Sequence, residues 1–310
     1  MNIISDAPEY ADSFLPLNLN WHTVRKNTLN TTIRELVNAL FPDRELFIGE
    51  RATDTDWKWL FVSEFSRSSQ FEILKSISLS SRQNKDNILC LAGAGDNFKG
   101  YRDRKWVAVP GNIHLAGWLH PGCPIENFHS GFTILTAVSA IQIIDFIPGL
   151  KSKAMIRWVN DIVIGRAKVG GVLTLTRSQG EIVTDAFIGI GLNVQTAPAV
   201  QADLFVPETA SLGSYLDNPE DINLSEILIG LVEQLDLNYK VMLQNGYNQL
   251  LNFYRDRCNI LGRMVEIYSD PLAGKPQKTH QGIVTKIGRN LELYLDHSKT
   301  PVTYGRLILH

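Results

Sequence analysis

Residues 155–194 read MIRWVNDIVIGRAKVGGVLTLTRSQGEIVTDAFIGIGLNV. Three stretches in it, 155–164, 169–176 and 182–194, are rich in β-branched residues and predict three strands. The breaks between them, Gly165-Arg166-Ala167-Lys168 and Ser178-Gln179-Gly180, carry turn chemistry, so an antiparallel meander is expected. Polar residues and glycines stand where a half-buried sheet wants bulk: Arg157, Asn160 and Asp161, then Gly170-Gly171, then Gly189, Gly191 and Asn193. A glycine in a strand leaves no side chain to pack, and it marks either a bulge or the close approach of a ligand. One such pair reads as a bulge beneath a helix. Two glycine sites beside an arginine, a lysine and two asparagines read as the floor of a ligand site.

Upstream, residues 91–115 read LAGAGDNFKGYRDRKWVAVPGNIHL. Gly93 and Gly95, followed by Lys99, Arg102, Arg104 and Lys105, predict a loop able to wrap an anion, though a basic run out of context is a solvated face. Ser68-Ser69-Gln70 precedes an amphipathic run with Phe71, Ile73, Leu74 and Ile77, where serine is also a common helix cap. Residues 30–40 predict one capped helix ending near Pro42, and residues 57–62 the start of a strand. No basic recognition helix accompanies them, so DNA binding is not expected.

Residues 128–147 are apolar enough to be tested as a membrane span. Ser130, Thr133, Thr136, Ser139 and Gln142 put a polar residue at every third position and Pro148-Gly149 follows, so a buried core helix is expected. Residues 223–243, with Leu224, Ile227, Leu228, Leu231 and Leu235 on one face, and residues 247–257 predict two helices covering the sheet. From Leu261 the pattern changes to short strands at 262–267, 281–284 and 290–295, a small barrel of about 50 residues. No internal repeat is visible.

The 310 residues, 44% hydrophobic, suffice for two domains with a sizeable core. Thirty basic residues against 32 acidic ones give no overall field for nucleic acid or an anionic membrane, so phosphate binding has to be local. Cys90, Cys123 and Cys258 form neither a metal-ligand spacing nor a disulfide framework, which suits a reducing cytoplasm. The N-terminus, MNIISDAPEYADSF, has no basic region leading into an apolar run, so no signal peptide is expected. Neither a Ser-His-Asp nor an H-E-x-x-H arrangement is present, and the seven histidines are scattered.

The central block resembles the catalytic core of the biotin protein ligases, whose pattern runs K-W-P-N-D, then K-[IL]-x-G-[IV]-L, then G-[IL]-G-[IL]-N-V. The corresponding residues are Arg157-Trp158-Val159-Asn160-Asp161, Lys168-Val169-Gly170-Gly171-Val172-Leu173 and Gly189-Ile190-Gly191-Leu192-Asn193-Val194. Arg157 replaces the family's lysine and Val159 its proline. The family's basic loop, G-R-G-R-x-G-R-x-W before P-G-N, is matched at Gly100, Arg102, Arg104, Trp106 and Pro110-Gly111-Asn112. Phe98 and Asp103 stand there for glycines, Lys99 and Tyr101 for arginines. Ser68-Ser69-Gln70 occupies the place of a Ser-Thr-Asn triplet, and residues 209–212 resemble the segment after the third strand.

The resemblance, over residues 60–310, implies an α+β fold: a mixed or antiparallel sheet covered by helices, the class II synthetase-like catalytic domain, plus a small SH3-like barrel. The expected division is 1–60 as an N-terminal extension, 61–260 as catalytic domain and 261–310 as barrel. The implied activity is ATP-dependent formation of biotinyl-5'-AMP and transfer of biotin to a lysine of a carrier domain of a biotin-dependent carboxylase. Arg157 and Lys168 take the catalytic roles. Biotin falls to Ser68, Ser69 and Gln70, to Lys99, Gly100, Tyr101 and Trp106, and to Arg157, Gly170, Gly171 and Val172. ATP falls to Lys99, Arg102 and Arg104, to Asn160, Asp161 and Lys168, and to Gly191 and Asn193. Magnesium is expected on the triphosphate, with no protein metal site. A homodimer is left open. Two alternatives stand beside this reading: a lipoate or octanoate ligase, and a ligase-like protein that binds without completing catalysis.

Overall fold

The computed structural model describes residues 1–14, 19–81, 84–270 and 274–310. The chain opens with strand β1 (Asn2–Ser5), helix α1 (Pro8–Phe14), strand β2 (His22–Thr23), helix α2 (Thr31–Leu40) and strand β3 (Phe47–Glu50). Asn30 caps α2 by accepting a hydrogen bond from the Ile33 amide at 2.9 Å, as the sequence predicts. The helix α1 and the three early strands are an addition to that reading, which had one helix before residue 57. Next come β4 (Trp57–Ser66), α3 (Gln70–Ile77), β5 (Asn87–Gly95), β6 (Ile113–Leu119), the short β7 (Cys123–Pro124) and α4 (Phe128–Phe146).

The central block then supplies β8 (Ala154–Arg157), β9 (Asp161–Ile164), β10 (Ala167–Gln179) and β11 (Ile182–Leu192). The meander is therefore four strands where three were expected. The first predicted strand folds back on itself at Trp158-Val159-Asn160, whose Trp158–Val159 peptide is cis, and this brings Arg157 opposite Asp161.

Among the described residues one large sheet runs in the order β2-β3-β1-β4-β5-β6-β11-β10-β9-β8, with β7 paired to β11. The pairs β1–β4 and β4–β5 are parallel and the rest antiparallel. Residues 1–60 thus supply one end of this same sheet, and residue 60 lies inside β4.

Side chains alternate across the sheet, and β11 shows which face is which. Ala186, Ile188, Ile190 and Leu192 join the core beneath α4, while Phe187 joins a second core beneath α2 and α3 with Ile33, Leu36, Phe71 and Trp118. The polar residues of α4 are all answered inside the fold. Thr136 and Ser139 donate to the carbonyls of Phe132 and Leu135, Ser130 meets Tyr247 Oη, Thr133 meets Thr174, and Gln142 accepts from Asn238. By length and composition α4 would pass as a membrane span, yet 72% of that window is buried inside the protein.

Helices α5 (Leu224–Leu243) and α6 (Tyr247–Asp256) pack on α4, so they form a layer behind it, where the sequence reading had them cover the sheet. The C-terminal segment forms a second sheet, in the order β14-β13-β12-β15, from β12 (Met264–Tyr268), β13 (Lys278–Ile287), β14 (Leu293–Leu295) and β15 (Arg306–Leu309). The last of these strands was not anticipated. Val265, Ile267, Val284 and Leu293 belong to the same continuous core as Phe132 and Leu231.

Candidate active site

Strand register builds the floor of the site. Gly171 of β10 pairs with Gly191 of β11, which pairs with His114 of β6, and one row along Leu173, Gly189 and Ala116 line up in the same way. On the face of Phe187 the sheet is therefore nearly bare at its centre, and a cavity of about 440 Å³ opens over it. Two rings take the space the glycines leave: Phe71 packs over Gly189 and Trp106 over Gly191. A Cβ at Gly191 would stand 2.2 Å from the indole Cζ2.

Lys168 reaches this face only through a bulge. Gly171 stands three positions after it, and in a regular strand that spacing puts the two on opposite faces. The β9–β10 register shifts between Lys168 and Gly170, and Val169 is buried in the α4-side core. A Cβ on Gly170 would meet Leu192 and the Gly191 carbonyl, whereas one on Gly171 would meet only the end of Lys168 and the Asn160 carbonyl. The two glycines therefore differ: Val169 is the bulged residue, Gly170 beside it is closed in by β11, and Gly171 faces the cavity. Gly170 is accordingly absent from the cavity lining.

Two cations meet on one carboxylate. Asp161 receives Arg157 Nη2 at 2.7 Å on one oxygen and Lys168 Nζ at 2.6 Å on the other. Burial raises the Asp161 pKa, but the neighbouring Lys168 and Arg157 charges outweigh it and hold the carboxyl down at about 2. Both cations are thereby fixed before any substrate arrives. Asn160 braces the floor: its carbonyl accepts from the Val172 amide at 2.9 Å and its Nδ2 donates to the Val172 carbonyl at 2.7 Å.

Trp106 is fixed in turn by His114, a residue passed over in the sequence. The indole N–H donates to His114 Nδ1 at 3.2 Å and the other ring nitrogen meets the Val109 carbonyl at 3.2 Å. Burial pushes the imidazole down to about 4, so it is neutral and accepts. Lys168 Nζ lies 5.6 Å from the centroid of the Trp106 ring. A polar residue alternating inside the apolar strand Ile113–Leu119 was the available signal.

Of the residues singled out in the sequence, the cavity lining brings together Ser69, Gln70, Lys99, Gly100, Tyr101, Arg104, Trp106, Arg157, Asn160, Asp161, Lys168, Gly171, Val172, Gly191 and Asn193. Ser68 is exposed and outside it, because the chain turns there: Ser66 Oγ donates to the Ser68 carbonyl and α3 starts two residues on. Arg102 also lies outside, held by the carbonyl and carboxylate of Asp270. Gly93 and Gly95 belong to β5 rather than to the basic loop, and the space of a Gly95 side chain is taken by Phe98. Ser69 starts α3 without a side-chain cap bond. Gln70 is buried, with Nε2 on Ser63 Oγ at 3.1 Å and Oε1 without a hydrogen-bond partner. Asn193, also buried, donates to the Ala210 carbonyl at 3.1 Å and leaves Oδ1 open.

The lining also takes in residues no motif pointed to: Asp203, Phe205 and Val206 from the segment after β11, and Gly305, Arg306 and Leu307 from the C-terminal sheet.

Residues 71–193, which hold most of this floor, match the profile of the biotin/lipoate A/B protein ligase family. Over that stretch, about two fifths of its length, the chain is similar to that family. It is 26% identical over 175 residues to the bifunctional ligase/repressor BirA of Bacillus spizizenii, covering 56% of this chain and 52% of that one. Against the protein of the same name from Bacillus subtilis it is 30% identical over 121 residues, 39% of this chain and 36% of that one. The match thus spans about half, and about a third, of these curated relatives. In fold it is similar to a biotin protein ligase from Aquifex aeolicus solved with biotin and ATP, with a TM-score of 0.61 at 17% identity over 82% of this chain and 99% of that one. The Leishmania major biotin protein ligase solved with biotinyl-5-AMP gives a TM-score of 0.51 at 15% identity, over 81% and 98%. The α+β fold of these ligases is the fold of this chain.

Proposed function

We propose that the protein is a biotin protein ligase. The biotin carboxylate attacks the α-phosphate of ATP and displaces pyrophosphate. A lysine amine of a biotin carrier domain then attacks the acyl carbon of the adenylate, AMP leaves, and the amine proton passes to solvent. The observation that carries this reading is one cavity in which two pre-held cations adjoin an apolar slot with open buried acceptors. Bringing two anions together needs cations already in place, and Arg157 and Lys168 meet that need without reorganisation. At the neutral end, Gln70 Oε1 is a buried acceptor for a ureido N–H, and Trp106 forms an apolar wall.

Among the described residues no group of three or more His, Cys, Asp or Glu is placed to hold a metal. Asp161 is committed to two cations and Asp203 to Arg306 and its own turn. These residues do not suit a resident ion, and magnesium is written here as part of the nucleotide substrate. The carrier domain of a carboxylase is the proposed acceptor. Three free thiols suit a reducing cytoplasm.

One observation favours a second reading, a protein that binds without turnover. Lys99, on the loop expected to face substrate, is tied to Asp103 at 3.0 Å. Biotin-dependent exchange of labelled pyrophosphate into ATP separates the readings. Exchange with biotin alone is expected. Exchange with lipoate or octanoate but not biotin assigns the other ligase class, and biotin binding with no exchange assigns the binding protein.

A further inference from the structure

We propose that Arg306, the first residue of β15, is a positioning residue for the nucleotide half of the cavity, fixing the loop 198–209 as its outer wall. The nucleotide assignment rests on the ligase reading above; the positioning role rests on the contacts alone. Arg306 Nη2 donates to Asp203 Oδ2 at 3.2 Å, and its guanidinium carbon lies 3.7 Å from the centroid of the Phe205 ring. Phe205 in turn meets Tyr268 of β12 edge-on, at 5.5 Å between centroids.

The other Asp203 oxygen accepts from the amides of Phe205 at 2.8 Å and Val206 at 2.6 Å. A single carboxylate therefore shapes the turn and ties it to the C-terminal sheet. Further along, the same loop is bound to the floor. The Lys168 amide donates to the Glu208 carbonyl at 2.9 Å, the Ala210 amide to the Lys168 carbonyl at 3.1 Å, and Asn193 to the Ala210 carbonyl. The loop is held at its 208–210 end by the strand that carries Lys168 and near its middle by Arg306.

Apolar burial does not do the holding between these points. Val200 is 45% exposed and Leu204 61%. An ion pair this open to solvent on its Asp203 side would contribute little by itself. The stacking of the guanidinium on Phe205 gives the contact direction as well as charge, a combination that lysine cannot reproduce at the same site. The wall so placed is bonded to Lys168 and Asn193, two of the residues assigned to ATP.

The test uses the full chain with Arg306→Gln, Arg306→Lys and Asp203→Asn, which keeps a turn acceptor and removes the charge. Hydrogen exchange of the amides of residues 203–206 should speed up about tenfold or more in Arg306→Gln, and less in Arg306→Lys. In pyrophosphate exchange, the KM for ATP should rise about tenfold, with the KM for biotin and kcat within about threefold of the parent. Asp203→Asn should shift in the same direction. Loop exchange equal to the parent's in both Arg306→Gln and Asp203→Asn would overturn the proposal, as would equal rises in both KM values. A parent with no biotin-dependent exchange would overturn the ligase reading instead, and loop exchange would then decide the role of Arg306 by itself.

Discussion

Arg157 decides how far the family's chemistry carries over to this chain. Its guanidinium is a planar fork where relatives are expected to have a compact ammonium, and Asp161 takes up only part of that fork. Loss of one preorganised donor at a charge-developing centre slows reaction about a hundredfold to a thousandfold, so Arg157→Ala should lose at least about a hundredfold in pyrophosphate exchange. Arg157→Lys keeps the charge next to Asp161 and should stay within about tenfold of the parent. Asp161 offers a second measurement. Its folded pKa, about 2, lies below the 3.8 of a free aspartate, so its contribution is present above about pH 4 and is lost as pH falls through 2. Acid titration of the unfolding free energy should show the parent losing about 2 kcal/mol more than Asp161→Asn across that window. Equal acid limbs would mean that Asp161 does not hold the two cations in solution. The members of this cluster were legible as residue types, because charge inside a strand is conspicuous. Their pairing was not, since it depends on a hairpin that no glycine or proline announces. His114 stayed hidden for a related reason: only the β6–β11 register sets it beside Gly191.

Strand β10 gives the element-scale lesson. The sequence showed a glycine pair and a lysine three positions before its second member, and it favoured a ligand floor over a bulge. The bulge at Val169 is what places Lys168 and Gly171 on one face, so bulge and cavity floor are parts of one device. The prediction divides the pair. Gly171→Val has room on the cavity side, with nothing nearer than 3.4 Å to its Cβ, and should stay folded while losing biotin affinity by calorimetry. Gly170→Val would drive its Cβ to 2.8 Å from the Gly191 carbonyl and should lower the thermal midpoint instead. The reverse pattern would exchange their roles. Helices α2, α4 and α5 were legible from caps and periodicity. Strands β1 to β3 and β15 were not, being four residues or fewer each and fixed by pairing with distant strands.

At the scale of the molecule the two sheets share one apolar core, so the C-terminal segment is expected to melt together with the rest. Trp158 Nε1 donates to the Leu291 carbonyl at 2.6 Å, and Arg255 Nε to the Ile287 carbonyl at 3.0 Å, which fastens the floor hairpin and α6 to the small sheet. Thermal unfolding followed by tryptophan fluorescence and by far-ultraviolet circular dichroism should give one coincident midpoint, and two separated midpoints would refute the shared core. Around the cavity, most cations come already answered, Arg104 and Lys105 of the lining being without a carboxylate partner among the described residues. Lys99 faces Asp103, Arg102 faces Asp270, Arg306 faces Asp203, and Arg157 and Lys168 share Asp161. With a formal net charge of −2 on the whole chain, Arg104 and Lys105 are the lining cations left to draw a nucleotide in from a distance, and the field of the rest of the chain does not add to theirs. Ionic strength should therefore matter little to capture: raising salt from about 0.05 M to about 0.5 M, which shrinks the Debye length severalfold, should alter the KM for ATP by less than about threefold.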